Sequence, residues 1–169
     1  MTKNIVPPLF LIGLGQDSHV LVATKKPDVH LHLAGLAFAC GLRLQARSDG
    51  DVILHALYNA LSTAIGGGSL GPVGDQYVAH GEIDSRLFLQ HVLKRVHARG
   101  YRVSNVAISI EAARPKLEKY FPMMKNSLAE LLDVAPSAVG LAVTSGEGLT
   151  ACGRGEGISV IATVLLIHN

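Results

Sequence analysis

The sequence has little aromatic side chain and little charge. Tryptophan is absent and aromatic residues make up only 5% of the chain, so the stacking platforms that bind single-stranded nucleic acid are not expected. The net charge is +2, and Lys and Arg are scattered along the chain. No basic stripe for a duplex is evident, so we expect no nucleic-acid partner. The slight cationic bias suits an anionic small molecule.

Cysteine and long apolar runs are also scarce. Cys40 and Cys152 are far apart and form no C-x-x-C pair, so neither a disulfide framework nor a thiolate zinc site is indicated. The N-terminal residues make a poor signal peptide, and the longest apolar stretch, ISVIATVLLI, is far short of the roughly 20 residues of a membrane helix. We therefore expect a cytoplasmic protein with no membrane partner.

Apolar side chain is abundant. Hydrophobic residues make up 49% of the 169 residues and charged residues 17%, which predicts one domain over residues 1–169 with a large core. This is more apolar side chain than a monomer of this size is expected to hide, so an oligomer is predicted.

Periodicity and capping residues predict a mixture of strands and helices. The combination predicts an α/β (α+β) sandwich with helices on one face of a sheet. The predicted elements are a buried strand over Leu9–Leu14, a short strand in HLHLAG, a helix beginning near Ser48 or Asp49, an irregular loop GGGSLGPVG, a helix from Asp84 or Ser85 to Gly100, a strand VSNVAISIEAA, a helix from Pro122 to Leu132, and strands GLAVTS and ISVIATVLLI.

The stretch PLFLIGLGQDSHV places a carboxylate and an imidazole two residues apart at the end of the first strand. Side chains i and i+2 share a strand face, so Asp17 and His19 converge. Taken alone, the pair is more typical of a salt bridge than of a metal site. His55 on the following helix is a third ligand for a catalytic zinc site, with Asp51 one turn earlier as its orienting partner. Helix periodicity alone equally favours His55 as a histidine at the edge of the core.

A second histidine pair competes with the first. His30 and His32 also lie two residues apart on a predicted strand. No carboxylate flanks them, so a solvated strand edge is the favoured interpretation.

Two stretches that follow strands are typical of anion binding. EAARPKLEKY leaves the sheet at Pro115 and Lys116, and TSGEGLTACGRGEG combines hydroxyls, Glu147 and Arg154 with five glycines. Free amides and hydroxyls at strand ends suit phosphate, and a carboxylate suits magnesium. Each stretch alone is equally compatible with an ordinary turn.

Together, GQDSH, SDGDVILHAL, ARPK and TSGEGLTACGRGEGI resemble the 2-C-methyl-D-erythritol 2,4-cyclodiphosphate synthase family over nearly the whole chain. The resemblance implies a compact single-domain subunit with a four-stranded mixed sheet and helices on one face. It also implies a homotrimer with active sites between subunits. The implied reaction is cyclisation of 4-diphosphocytidyl-2-C-methyl-D-erythritol 2-phosphate with release of CMP in the non-mevalonate pathway of isoprenoid synthesis. The alternatives are a catalytically impaired trimer that binds nucleotide or isoprenoid diphosphates, and a purely structural trimer.

The resemblance also assigns residues. It implies Zn²⁺ bound by Asp17, His19 and His55, and a second ion, Mg²⁺ or Mn²⁺, bound by Glu147. It implies catalytic contacts from Arg47 and Ser145. The implied substrate contacts are Asp17, His19, Ser48, the cytidine loop Ala112, Ala113, Arg114, Pro115, Lys116 and Leu117, the diphosphate contacts Thr144 and Ser145, Glu147, and Arg154, which also pairs with Glu156 on the trimer axis.

The sequence departs from the family pattern around the sugar site. Arg47 replaces a histidine, the threonine before the glutamate is displaced to Ser145, and Gly148 replaces a lysine. Pro72 stands where the family has an aspartate, and a phenylalanine-proline-aspartate stretch is missing. Its substitutes in SLGPVGDQYVAHGEIDS are expected to be Asp75, His80 or Glu82.

Overall fold

The computed structural model describes residues 7–169. The N-terminal segment that makes a poor signal peptide begins in residues 1–6, which lie outside this range. The elements in chain order are β1 Phe10–Ala23, β2 Leu31–Leu33, β3 Leu36–Phe38, β4 Leu42–Leu44, α1 Val52–Ala64, α2 Gly71–Ala79, α3 Ser85–Ala98, β5 Tyr101–Glu111, α4 Phe121–Leu132, β6 Val139–Thr144 and β7 Gly157–His168.

The main sheet is mixed and has five strands in the order β4-β1-β7-β5-β6. Neighbours are antiparallel except β5 and β6, which are parallel. The predicted α/β class is confirmed, but the expected count of four strands is wrong. The fifth strand, β4, pairs only with the end of β1. Its three residues are too short to show the alternation that identifies a strand in sequence. β2 and β3 form a separate hairpin.

β1 is longer and less buried than its sequence predicts. It continues beyond Leu14 to Ala23, so Asp17 and His19 lie within the strand rather than at its end. Within one chain, Ile12 is 77% exposed and Leu14 60%, so the prediction of a buried strand is wrong for this face. The apolar side chains on both faces of the strand suggested full burial, but only one face carries helices.

Two glycines bring α1 against β1. A Cβ on Gly13 would lie 1.9 Å from the carbonyl oxygen of Ala60, and one on Gly15 would lie 2.1 Å from that of Ala56. Only a residue without a side chain permits this approach. Gly13, Gly15, Asp17 and His19 share one strand face, and α1 runs antiparallel to the strand along it. The same packing therefore carries the start of α1 to the two polar side chains.

The segment around Pro72 corrects the expectation of an irregular loop. Residues Gly71–Ala79 form α2, with Pro72 in its first turn, where a missing N–H leaves no hydrogen bond unmade. None of its residues is buried. The high glycine content conceals this helix in the sequence, because glycine disfavours helix by propensity.

Cys40 and Cys152 are free thiols. Among residues 7–169, no helix has the length and apolar character needed to cross a membrane.

Candidate metal centre

Asp17, His19 and His55 converge as the sequence predicts. Asp17 Oδ2 lies 2.9 Å from His55 Nδ1 and 3.4 Å from His19 Nε2, and the two imidazole nitrogens are 3.1 Å apart. His55 is only 6% exposed. Three donor atoms from a strand and a helix thus form a small triangle at the edge of the core.

The donor set fits a metal ion. Ligands about 2.1 Å from a tetrahedrally coordinated ion lie about 3.4 Å from one another, close to the triangle observed here. Burial lowers the pKa of His19, which outweighs the opposing effect of the Asp17 carboxylate. The imidazole is therefore neutral near pH 7, the form that binds metal. Three protein ligands leave a fourth position for another molecule.

Asp51 does not orient His55, contrary to the sequence-based expectation. Its Oδ1 accepts hydrogen bonds from the backbone N–H groups of Leu54 and Ala34, both at 3.0 Å, and its Oδ2 accepts one from Gly35 at 2.6 Å. Asp51 is therefore the N-cap of α1, in place of Ser48 or Asp49. Burial raises the pKa of Asp51, with the Gly35 and Leu54 N–H groups acting in the opposite direction.

The partner of His55 is a residue that the sequence did not single out for this role. Ser85 Oγ lies 2.9 Å from His55 Nε2 and donates to Asp49 Oδ1. Ser48 Oγ is 3.3 Å from the same nitrogen. Ser85 is the first residue of α3, 30 positions along the chain from His55, so no local spacing points to the contact.

A cavity of about 370 Å³ opens onto the triad. The triad and Ser48 line it, and so do Gly71, Gly74, Asp75 and Val78 of α2. Arg47 also lines it, and its Nη1 lies 2.7 Å from Asp75 Oδ1 on α2. Of the three suggested substitutes, Asp75 is the one that lines this cavity. The segment around Pro72, which departs from the family pattern, therefore lines the same cavity as the metal ligands.

The other predicted binding residues lie at the same end of the sheet but several strands away. Strand register aligns Asp17 with Val160, Val160 with Ile110, and Ile110 with Val143. Three strand spacings of about 4.8 Å put β6 about 14 Å from β1. The residues that follow β5, Ala112 to Leu117, and those from the end of β6 onward, Thr144 to Arg154, therefore share an edge with the triad but do not line its cavity.

The strand-end loops are organised by their own hydrogen bonds. The Ala112 N–H donates to Thr144 O at 3.0 Å, and Arg114 Nε donates to Gly155 O at 3.1 Å. Ser145 Oγ donates to Glu147 Oε1 in an exposed position. Arg154 Nε lies 2.8 Å from Glu156 Oε1, also exposed.

Gly146 explains why no threonine precedes Glu147. Its φ is +68°, and a Cβ there would lie 2.9 Å from the backbone Cα of Gly153. A side chain is therefore excluded, and Ser145 is the hydroxyl nearest to Glu147 along the chain.

The competing histidine pair lies beside a different cavity. His30 and His32 line a space of about 500 Å³ together with Arg43 and Arg86. Within the described part of the chain, the only cluster of three metal-ligating side chains is Asp17, His19 and His55. The larger cavity, beside His30 and His32, therefore contains no cluster of three metal-ligating side chains among the described residues.

Comparison with known proteins identifies the family. A model described as the YgbB family matches residues 10–167. The 2-C-methyl-D-erythritol 2,4-cyclodiphosphate synthase of Acinetobacter baylyi is 41% identical over 162 residues, 94% of this chain and 95% of that protein. The synthase of Chlamydia trachomatis is 36% identical, over 95% of this chain and 89% of that protein.

A solved structure of a 2C-methyl-D-erythritol-2,4-cyclodiphosphate synthase in its CDP-bound form has a TM-score of 0.81 and 32% identity to this chain. The match covers 92% of this chain and 99% of that one. With a family model over nearly its whole length and relatives of this identity, the chain belongs to the YgbB family of 2-C-methyl-D-erythritol 2,4-cyclodiphosphate synthases.

Proposed function

We propose that this chain cyclises 4-diphosphocytidyl-2-C-methyl-D-erythritol 2-phosphate to 2-C-methyl-D-erythritol 2,4-cyclodiphosphate in the non-mevalonate pathway. An oxygen of the 2-phosphate bonds to the β-phosphorus, the bond from that phosphorus to the bridging oxygen breaks, and CMP leaves with this oxygen. The observation that carries the proposal is the convergence of Asp17, His19 and His55 on one cavity in a member of this family.

The metal ligands of this proposal are Asp17, His19 and His55 for Zn²⁺. A bound zinc supplies positive charge that draws phosphate oxygens together and stabilises the charge of the transition state. The protein needs no nucleophilic side chain, because phosphoryl transfer depends mainly on positioning and electrostatics. Arg47, at the rim of the cavity, is proposed as a phosphate contact, since a guanidinium binds phosphate oxygens in pairs. Ser48 is proposed as a further contact.

The strand-end loops are proposed to hold the nucleotide. Glu147 would bind the second divalent ion, Mg²⁺ or Mn²⁺, with Ser145 and Thr144 on the diphosphate. Arg154 would contact phosphate. The residues Ala112, Ala113, Arg114, Pro115, Lys116 and Leu117 would hold the cytidine. The exposure of Glu147 and Lys116 supports a role in binding a ligand from outside the fold.

We further propose that residues 1–169 form one subunit of a homotrimer, with each active site between two subunits. The distance of about 14 Å between β1 and β6 supports this, because one chain does not bring the nucleotide residues to its own triad. The helix-free face of the sheet supplies the interface, since it exposes Phe10, Ile12 and Leu14. Free thiols at Cys40 and Cys152 agree with a cytoplasmic location.

The decisive experiment measures CMP release by purified protein with the substrate, Zn²⁺ and Mg²⁺. We expect His55→Ala to reduce the rate at least about 100-fold, because a zinc ligand is lost. His97→Ala, an exposed histidine of α3, should leave the rate unchanged. No CMP above the His55→Ala background would refute the proposal. If CDP still raised the melting temperature in that case, the chain would be an impaired homologue that binds nucleotide without turnover.

Sedimentation tests the trimer. Ile12→Asp should give monomers, because a charge would enter the apolar interface. Asp17→Ala and His19→Ala should remain trimeric while losing zinc and activity. Monomers in those two variants would show that the ligands have a structural role.

A further inference from the structure

Hydrogen bonds connect the metal ligand His55 to Ser85 and Asp49 through the ring nitrogen that faces away from the triad. His55 Nε2 is 2.9 Å from Ser85 Oγ, and Ser85 Oγ in turn contacts Asp49 Oδ1. Ser85 is fully buried. The other ring nitrogen, Nδ1, faces Asp17 and His19. The two nitrogens of the imidazole therefore have different partners. Nε2 contacts the hydrogen-bonded pair Ser85 and Asp49, called the relay below, and Nδ1 faces the metal centre.

The proton count along this relay places a proton on His55 Nε2. A carboxylate can only accept, so the single hydroxyl proton of Ser85 is donated to Asp49. Ser85 Oγ then presents lone pairs to His55 Nε2. An unprotonated Nε2 would place two lone pairs 2.9 Å apart, so this nitrogen must carry a proton. Nδ1, which faces Asp17 Oδ2 at 2.9 Å, is the nitrogen that a metal ion held between these two atoms would bind.

Asp49 is held in place by backbone contacts on both sides. Its N–H donates to Ile83 O at 2.9 Å, and its Oδ2 accepts from the Ser85 N–H at 3.0 Å. Its Oδ1 also accepts from the Asp51 N–H at 3.2 Å. The Ser85 N–H belongs to the first turn of α3, where the helix dipole favours a negative charge. The loop before α1 is thus fixed to the start of α3.

We propose that Asp49 and Ser85 are positioning residues that hold His55 with a proton on Nε2 and so present Nδ1 to the metal. The inference rests on the metal site of the proposed function. Ser48, at 3.3 Å from Nε2, is the weaker acceptor because its Oγ also receives the Gly50 N–H. The relay places no charge on the metal centre itself; it selects which ring nitrogen is free to bind.

Two substitutions separate this role from simple packing. Ser85→Ala removes the acceptor for Nε2–H. Asp49→Asn has a sharper effect. The Ser85 N–H lies 3.0 Å from Oδ2 and the Asp51 N–H 3.2 Å from Oδ1, so the shorter bond favours the amide oxygen at the Oδ2 position and the NH₂ group then faces the Ser85 hydroxyl. The hydroxyl proton must turn toward His55, which reverses the relay and favours an unprotonated Nε2. Ser62→Ala is the matched control, since Ser62 is an equally buried serine of α1 that donates to Gly68 O at 2.7 Å and does not touch the triad.

The first measurement is ¹⁵N NMR of the His55 ring in metal-free protein. We expect protonated Nε2 in the wild type and the Ser62→Ala variant, and loss of the Nε2 proton in Asp49→Asn. An unprotonated Nε2 in the wild type would overturn the inference. Because no metal is present, this result does not depend on whether the proposed function is correct.

The second measurement is zinc affinity by competition with a chelator. We expect Ser85→Ala and Asp49→Asn each to bind zinc 10- to 100-fold more weakly than wild type, the usual effect of losing a partner behind a metal ligand. Ser62→Ala should bind as wild type. Affinities of both relay variants within twofold of wild type, with amide spectra that show an intact fold, would overturn the inference. A wild type that binds no zinc would instead refute the proposed metal site.

Discussion

The two helical walls of the triad cavity differ in almost every physical respect. α1 has no charged residue, and all of its 13 residues except Asn59 and Thr63 are buried. α2 has no buried residue, and two of its nine residues are glycine. α1 packs directly against β1 through glycine contacts, whereas the Leu70 residue that precedes α2 is tied to the Asn59 side chain by one hydrogen bond of 2.9 Å.

Within this site, metal binding depends on the buried helix α1, and the sequence variation at Pro72 occurs on the exposed helix α2. α1, which carries the metal ligand His55, is held by its packing in the core, so the position of His55 is set before any ligand binds. In α2, only the half-buried Val73, Tyr77 and Val78 pack against the core and no residue is fully buried, which places this helix at the lower end of local stability. One departure from the family pattern, Pro72, falls on this second wall. The departures at Arg47, Ser145 and Gly148 lie in other loops. A helix of low local stability such as α2 tolerates sequence changes that α1, packed directly on Gly13 and Gly15, does not.

Gly15→Ala and Gly74→Ala make the same substitution on the two walls and should have opposite effects. In β1, the new Cβ would lie 2.1 Å from Ala56 O, so α1 must shift and we expect a loss of about 3 kcal/mol in the free energy of unfolding. In α2, the nearest atom to a Cβ on Gly74 is Leu70 Cγ at 3.6 Å, an ordinary contact. Alanine should therefore stabilise α2 by up to about 1 kcal/mol.

Urea unfolding measures the effects on stability, and zinc binding measures the site. Gly15→Ala should also weaken zinc binding, because displacement of α1 carries His55 away from Asp17. Gly74→Ala should leave zinc affinity unchanged. Equal stability of the two variants would show that the walls do not differ in packing.

The sequence predicts the first wall much better than the second. Alternation along β1 and the helical period around His55 are local patterns, so the three ligands are identifiable from spacing and family resemblance. The support of His55 by Ser85 depends on how α3 packs against a loop more than 30 residues earlier, which no local pattern contains. The apolar residues on the exposed face of β1 predict burial, because under the proposed trimer they pack against a neighbouring subunit and not within the single chain.

Asp51→Ala should have the next largest effect, again on the first wall. Its loss removes the N-cap of α1 and leaves the buried N–H of Ala34 without an acceptor, which together cost about 2 kcal/mol. Asp51→Asn keeps one accepting oxygen and should lose less. Urea unfolding of both variants provides the measurement. An alanine variant as stable as the wild type would show that the carboxylate oxygens contribute nothing to the cap.

Asp75→Ala should have the smallest effect on stability, because it acts on the weakly held wall. The Arg47–Asp75 pair is exposed on both sides, and such pairs contribute less than about 1 kcal/mol. We expect the free energy of unfolding to stay within about 0.5 kcal/mol of wild type, and KM to rise by up to about fivefold if Asp75 aims Arg47 at a substrate phosphate. The double variant Arg47→Ala/Asp75→Ala isolates this contribution, since Asp75→Ala should change KM only while Arg47 is present. An equal rise in KM in both backgrounds would mean that Asp75 acts on the substrate by itself, and that the second wall contributes its own polar contact to the site.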